Sequence, residues 1–306
     1  MTGVVTDRVA GQGSIEAADA QGRAALGLLG NSSIELSTNG HDAILRAAEI
    51  LPPGMPVYVA KMPTQTLTEK LIQIRALRAS GLDPVPHIAA RQLASRLELR
   101  TFLEEAVSGG EVHRVLLIGG NDTRVAGPFR DSASVLASGL LEDAGIREID
   151  VAGYPEGHPR IPADVLFADL ETKMKLADDR GLNLNIVTQF SFAPRTVIAY
   201  CSDLALRAPG VPVYAGLMGP THPARLLRFA RICGVSTTLQ AVCSLGLNAL
   251  KLATLSSPDK HFAVMARHQA ARENGNLSGI HLFNFGGFHE SAKWISDQLQ
   301  RGTANA

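Results

Sequence analysis

Eight short apolar runs, most of them separated by segments of helical period, set the terms on which this chain can fold. The runs are Ser33 to Leu36, Val57 to Ala60, Val85 to Ile88, Val115 to Ile118, Glu148 to Ala152, Leu184 to Gln189, Val211 to Ala215 and Gly279 to Phe283. Between the second and third, Leu67, Leu71, Ile74 and Leu77 share one face of a predicted helix over Leu67 to Ala79, with Thr66 as N-cap and Gly81 as stop. Arg91 to Ser108, ending at Gly109-Gly110, and Ser132 to Ala144, ending at Gly145, repeat the plan. Such a cycle predicts the α/β class and a single closed (β/α)8 TIM barrel rather than an open doubly wound sheet. No Gly-x-Gly-x-x-Gly follows the first strand, which speaks further against a dinucleotide-binding sheet. The connection from Ala215 to Gly279 is about sixty residues long; Ala224 to Ile232, Thr238 to Thr254 and Asp259 to Asn274 predict extra helices between strands seven and eight. Residues 1–30, with weak helical character from Ser14 to Leu29, read as an N-terminal extension, leaving 31–306 as the barrel.

Charge narrows the partners. The 29 basic and 29 acidic side chains cancel, so no global field draws the chain to nucleic acid or to an anionic membrane, and a small neutral or weakly anionic ligand fits better. Cys201, Cys233 and Cys243 are odd in number and lack CxxC spacing, against a disulfide framework and against a zinc ribbon. With no basic-then-apolar leader and no run of roughly 18 apolar residues, the expectation is a cytoplasmic protein without a membrane partner. Monomer and homo-oligomer both remain open.

In a (β/α)8 barrel the chemistry sits at the carboxyl ends of the strands. Glu35, amid apolar neighbours in strand one, is either an interior acid whose burial raises its pKa or an outward-facing, salt-bridged glutamate, and spacing alone favours the second. His87 near the end of strand three reads as a core histidine or a rim imidazole, with the core reading favoured. Strand four runs into Gly119-Gly120-Asn121-Asp122, which suits either a ligand-cradling rim or a plain turn. Strand five stops on Gly153-Tyr154-Pro155 and delivers Tyr154, Glu156 and His158 onto a proline-stiffened loop, a site wall or a surface turn. Gln189, between Val187 and the aromatic pair Phe190 and Phe192, offers a paired donor and acceptor beside stacking surface, or the rings are simply core. Lys173 and Lys175 suit either a phosphate contact or a solvated helix face. With neither a metal-ligand cluster nor a Gly-x-Ser-x-Gly elbow at these ends, organic cofactor chemistry is the better expectation.

Taken in order, these strand ends resemble the methylenetetrahydrofolate reductase family of flavin-dependent (β/α)8 barrels, over roughly residues 31 to 285. Ala152-Gly153-Tyr154-Pro155-Glu156-Gly157-His158-Pro159 is similar to that family's FAD-contacting Ala-Ala-Tyr-Pro-Glu-x-His-Pro loop, and Ile186 to Phe192 to its folate-binding Ile-Thr-Gln-Phe-Phe-Phe strand. Ser33-Ile34-Glu35, Pro86-His87 and Asp122 supply further matches. The resemblance implies FAD as cofactor, NADH or NADPH as reductant, and a tetrahydrofolate substrate in one-carbon metabolism serving methionine biosynthesis. It implies Glu35 as the acid that opens the methylene bridge, Asp122 beside flavin and pterin, and Gln189 with Phe190 on the folate. It places His87, Gly120, Asn121, Asp122, Ala152, Tyr154, His158, Asp169 and Lys175 along the FAD.

Three stretches depart from the family pattern. Lys61-Met62-Pro63-Thr64 stands where the family has Tyr-Gly-Ala-Gly-Gly-Ser, Gly120-Asn121-Asp122 where it has Arg-Gly-Asp, and Phe283-Asn284-Phe285-Gly286-Gly287 where it has Leu-Asn-Arg. The first two bear on the flavin, so the resemblance implies a divergent branch with weakly held FAD or, alternatively, a folate-binding or methyl-transfer accessory protein on the same barrel.

Overall fold

Eight parallel strands pair in chain order and close into a barrel: β1 (Ser33–Leu36), β2 (Pro56–Val59), β3 (Asp83–Ala89), β4 (Arg114–Ile118), β5 (Glu148–Gly153), β6 (Asn183–Thr188), β7 (Val213–Met218) and β8 (Leu277–Phe283). Closure runs through Ser33 opposite His281 and Ile34 opposite Leu282. The computed structural model describes residues 19–37, 41–60, 65–120, 122–220, 257–271, 275–284 and 286–304.

The period of two in each strand sorts side chains onto two surfaces. One set, including Ile34, Leu36, Val57, Val59, Val115, Leu117, Ile149, Val151, Ile280 and Leu282, packs against the surrounding helices in the main core. The other faces the barrel interior, where Tyr58, Val85, Leu116 and Val187 form a second, smaller apolar cluster. Alternation from these positions also puts Ser33, Glu35, His87, Arg114, Asp150, Asn185 and His281 inside. The interior of this barrel is therefore unusually polar, where branched apolar side chains normally dominate.

Helices form the outer ring. A helix over 19–30 (α1) buries Leu28 and Leu29 in the main core, so its packing is continuous with that of the barrel. Next come α2 (His41–Ala48) and α3 (Leu67–Ala79); Thr66 caps α3 with Glu69 in a reciprocal box, as the sequence predicts. Two helix predictions need correction. The segment from Arg91 opens instead with a 3-10 turn (Ala90–Gln92), and α4 spans Arg96–Gly110 because Ser95 supplies the N-cap to Glu98. The segment from Ser132 splits into α5 (Ser132–Leu136) and α6 (Leu140–Asp143), since Gly139 between them sits at φ +81°, outside helical geometry. The remaining helices are α7 (Ala163–Asp179), α8 (Pro194–Arg207), α9 (Asp259–Ala270) and α10 (Phe288–Ala304). The predicted helices at 224–232 and 238–254 lie outside the described residues. No helix among the described residues is long and apolar enough to cross a membrane.

Candidate active site at the carboxyl end of the barrel

The base of the site is an ionic layer inside the barrel. Arg114 of β4 donates to both carboxylate oxygens of Asp150 on β5, at 2.8 and 2.7 Å. Asp150 also accepts from the Tyr58 hydroxyl at 2.7 Å and from Asn185 Nδ2 at 3.2 Å. Burial pushes the Asp150 carboxyl up and the Arg114 guanidinium down; Asp150 more than offsets the second effect. Four accepted hydrogen bonds keep the pair ionic despite complete burial of the carboxylate. The Arg114 guanidinium also lies 5.8 Å from the Tyr58 ring and 5.0 Å from the Tyr214 ring.

Two imidazoles rest on Tyr58, with ring centroids 4.5 Å (His281) and 6.1 Å (His87) from it. His281 is wholly buried, its Nδ1 2.8 Å from Ser33 Oγ and its ring edge-on to Phe283. Burial, then the charge of Arg114, lowers its pKa to about 3. His87 is held well below the ordinary range by burial first, then by Lys70 and His281. Lys70 of α3 donates to the His87 carbonyl at 2.7 Å. Both histidines are thus neutral at physiological pH.

Glu35 faces this interior, which corrects the outward, salt-bridged reading. Its side chain is 12% exposed, Oε2 lies 3.9 Å from His87 Nε2, and burial pushes its carboxyl up to about 7. Because His87 is neutral, the contact is polar rather than a salt bridge. The backbone around Glu35 is fixed from β8: Asn284 Nδ2 donates to the Glu35 carbonyl, while Asn284 Oδ1 accepts from Ser37 Oγ at 2.5 Å and from Gly286 N–H at 2.9 Å. Asn284→Ala strands these groups, and the expected cost is about 1–3 kcal/mol in urea denaturation; a loss below about 0.5 kcal/mol would make the clamp incidental.

The resemblance-derived residues on the neighbouring strand ends fall into separate groups. Asp122 is exposed and accepts from Gln92 Nε2 at 2.6 Å. Asn121 and Lys61 to Thr64 lie outside the described residues. Gly120 sits at φ +89° with the Ala89 side chain 3.6 Å from where its Cβ would be, so the family's arginine would be strained there. A guanidinium nevertheless reaches this turn from the end of β3, where Arg91 donates to the Asp122 carbonyl at 3.3 Å and to the Arg130 carbonyl at 2.9 Å. A cleft of about 1110 Å³ opens from His87 and Asp122 past Arg91 and Lys70, between α3 and α4. It does not include Glu35 or Gln189.

On β5, Ala152 is partly buried within the strand, and the loop beyond it stacks the Tyr154 and His158 rings edge to face at 5.2 Å. Burial, then Asp169, raises the Tyr154 pKa; burial, then Arg160, lowers that of His158. Asp169 pairs with Lys173 on α7, whereas Lys175 is exposed two residues further round the helix, so Lys173 and not Lys175 is the lysine of this group. Glu156 accepts from Ser191 Oγ at 2.6 Å, which ties the β5 loop to the β6 loop. There Gln189 turns its amide oxygen to the Phe190 N–H at 3.1 Å. Phe190 is buried between Phe192 and Phe283, each 5.7 Å away, as a packing residue. Among the described residues no three His, Cys, Asp or Glu side chains are grouped to hold a metal ion.

Whether FAD fits can be judged from the backbone and donor set. A Cβ at Gly119 would meet nothing within 4 Å, so a flat ring can approach the main chain at the end of β4. The paired Tyr154 and His158 and the Asp169–Lys173 pair continue a polar rim along β5 and α7. The residues present are compatible with the group, Arg91 standing as the cation of the β4 turn.

Sequence reasoning missed Tyr58, Arg114, Asp150, His281 and Asn284. The signal was strand parity: once β2, β4, β5 and β8 are bounded, these polar residues, Asn284 aside, share the inward positions.

Comparison with known proteins agrees with this architecture. A solved structure of an uncharacterized protein from Clostridium thermocellum, which binds two copies of 5-methyl-5,6,7,8-tetrahydrofolic acid, shares the fold at TM-score 0.58 and 12% identity, over 89% of this chain and 94% of that one. A 5,10-methylenetetrahydrofolate reductase of Pectobacterium carotovorum subsp. carotovorum is 29% identical over 194 residues, 63% of this chain and 62% of the relative. That of Salmonella typhimurium (strain LT2) is 29% identical over 156 residues, 51% of this chain and 50% of the relative. The matched region therefore spans half to under two thirds of these relatives' length. The family model for methylenetetrahydrofolate reductase matches residues 37–245, more than half of the sequence. The chain belongs to the methylenetetrahydrofolate reductase family.

Proposed function

We propose that the protein is a flavin-dependent oxidoreductase that interconverts 5,10-methylenetetrahydrofolate and 5-methyltetrahydrofolate, with NADH or NADPH as reductant. The observation that carries this reading is Glu35, a carboxyl almost closed off inside the barrel mouth, with a pKa near 7 and a neutral imidazole beside it. Opening the five-membered ring of the methylene compound requires a proton on the departing amine nitrogen, and the C–N bond then breaks to leave an iminium at N5. An acid titrating near neutrality is matched to that step. Asn284 holds the Glu35 main chain in place, and the neutral His87 and His281 add no positive charge that would draw the carboxyl into its ionised form. Gln189 and Asp122 would bind the pterin edge. FAD, when bound along His87, Gly120, Ala152, Tyr154, His158 and Asp169, supplies hydride chemistry at the same mouth.

Isothermal calorimetry with 5-methyltetrahydrofolate tests the substrate class. Saturable heat is expected; none at about 1 mM ligand would overturn the proposal. The turn at Gly120, which cannot carry the family's arginine without strain, favours a second reading: a folate-binding or methyl-transfer accessory protein without tightly held FAD. Oxidation of 5-methyltetrahydrofolate by the FAD-loaded protein would rule that out.

A further inference from the structure

Asp122 is exposed at the end of β4, on a turn from which the family's arginine is missing, yet its carboxylate is not left free to rotate. Gln92, from the 3-10 turn after β3, donates from Nε2 to Asp122 Oδ2 at 2.6 Å. Nitrogen and not oxygen faces the carboxylate, because a carboxylate only accepts. The opposite side of this amide is left unsatisfied: Gln92 Oε1 is closed off from solvent and has no hydrogen-bond partner among the described residues. A buried acceptor without a partner is uncommon, and an apolar side chain of similar volume would fill the place without stranding one. Packing alone therefore does not explain an amide at this position. Its hold on Asp122 does.

The residue before Gln92 fixes the main chain of the same turn. The Arg91 N–H donates to the Gly119 carbonyl at 3.1 Å, and the Arg91 carbonyl accepts from the Ala126 N–H at 2.8 Å. Its guanidinium donates to the Asp122 carbonyl at 3.3 Å and to the Arg130 carbonyl at 2.9 Å. Further along, a Cβ at Gly127 would run into the Ala94 carbonyl, so the two loops meet there at a distance that only glycine allows. The loop after β4 is thus seated on the turn after β3, and Gln92 reaches past the backbone to the carboxylate itself. Order from outside is needed here, because Gly119-Gly120 gives the β4 turn little stiffness of its own.

We propose that Gln92 is the positioning residue for Asp122, with Arg91 fixing the main chain beneath it: Gln92 holds Oδ2, and Oδ1 is presented to the N–H edge of the pterin. This deepens the role given to Asp122 above and rests on that reading. A carboxylate oriented before the ligand arrives does not lose its rotational freedom on binding, so the hold strengthens the complex without a contact between Gln92 and substrate. Gln92 and Asp122 both line the cleft that opens between α3 and α4, which places the pair where a ligand can reach it.

The test has two readouts in the purified protein, with folding checked by circular dichroism. Without ligand, the side-chain amide of Gln92 is observed by proton–nitrogen NMR, its signal identified by loss in Gln92→Leu. It is expected to be displaced from the position of a free amide in wild type and to return there in Asp122→Ala; the same position in both proteins would overturn the proposal. With ligand, calorimetry of 5-methyltetrahydrofolate completes a double-variant cycle. Gln92→Leu should weaken binding about tenfold when Asp122 is present, the size of one hydrogen bond to a charged group. In the Asp122→Ala background the same change should cost less than about twofold, because nothing is left to position. No loss, or a loss of equal size in both backgrounds, would mark Gln92 as a packing residue and overturn its role. Wild-type protein that gives no folate heat would remove the substrate assignment, and the amide signal would still decide whether Gln92 holds the carboxylate.

Discussion

Glu35→Gln is expected to reduce folate turnover by about 10²–10⁴ while NADH- or NADPH-driven flavin reduction stays close to wild type, because only the folate half-reaction needs the proton. Rapid-mixing measurements of the two half-reactions give the comparison; equal loss in both would remove Glu35 as the acid. The same substitution carries a stability signature. The Glu35 carboxyl rises from 4.5 to about 7 on folding, so the folded state favours the protonated form. Its contribution is fully present below about pH 4.5 and is lost as pH rises through 7, to a total of about 3 kcal/mol. Glu35→Gln cannot ionise and should be more stable than wild type at pH 8, with the difference shrinking toward pH 5. Parallel melting curves across that range would mean that Glu35 is better solvated than its 12% exposure implies.

The largest loss of stability is expected from breaking the ionic layer below the site. Arg114→Leu leaves Asp150 buried with only the Tyr58 and Asn185 donors, and should cost about 3–5 kcal/mol, a drop in Tm on the order of 10 °C. Arg114→Met combined with Asp150→Leu removes both charges and should recover most of the loss, although the Tyr58 hydroxyl then needs a new partner. A double variant as unstable as the single one would show that Arg114 acts by packing between Tyr58 and Tyr214 rather than by charge.

The barrel was legible because a parallel sheet covered on both faces writes short apolar runs at regular intervals, and all eight runs became strands. Helix interruptions were harder to read: Ser132 to Ala144 keeps a helical pattern through Gly139, and only the local backbone angle shows the break. At the site, residue type and order pointed to Glu35, but not to its inward face. A strand of four residues is too short for its pattern to show which parity faces the interior, and that interior departs from the usual apolar filling. Asp150 and Arg114 were invisible for a related reason: Arg114 looks like an ordinary strand-end charge and Asp150 like a lone carboxylate inside an apolar run, until the β4–β5 register sets Leu116 opposite Asp150 and shows both side chains on the inward face. Lys173 and Lys175 differ by two positions, enough on a helix to separate a residue paired with Asp169 from one in solvent.

The most direct test of the account is anaerobic mixing of the FAD-loaded protein with 5-methyltetrahydrofolate, followed by visible absorbance. Wild type is expected to lose the band near ~450 nm as the methyl group is oxidised, and Glu35→Gln to lose it at least ~10²-fold more slowly. A band that persists in wild-type protein already shown by calorimetry to bind the folate would contradict it.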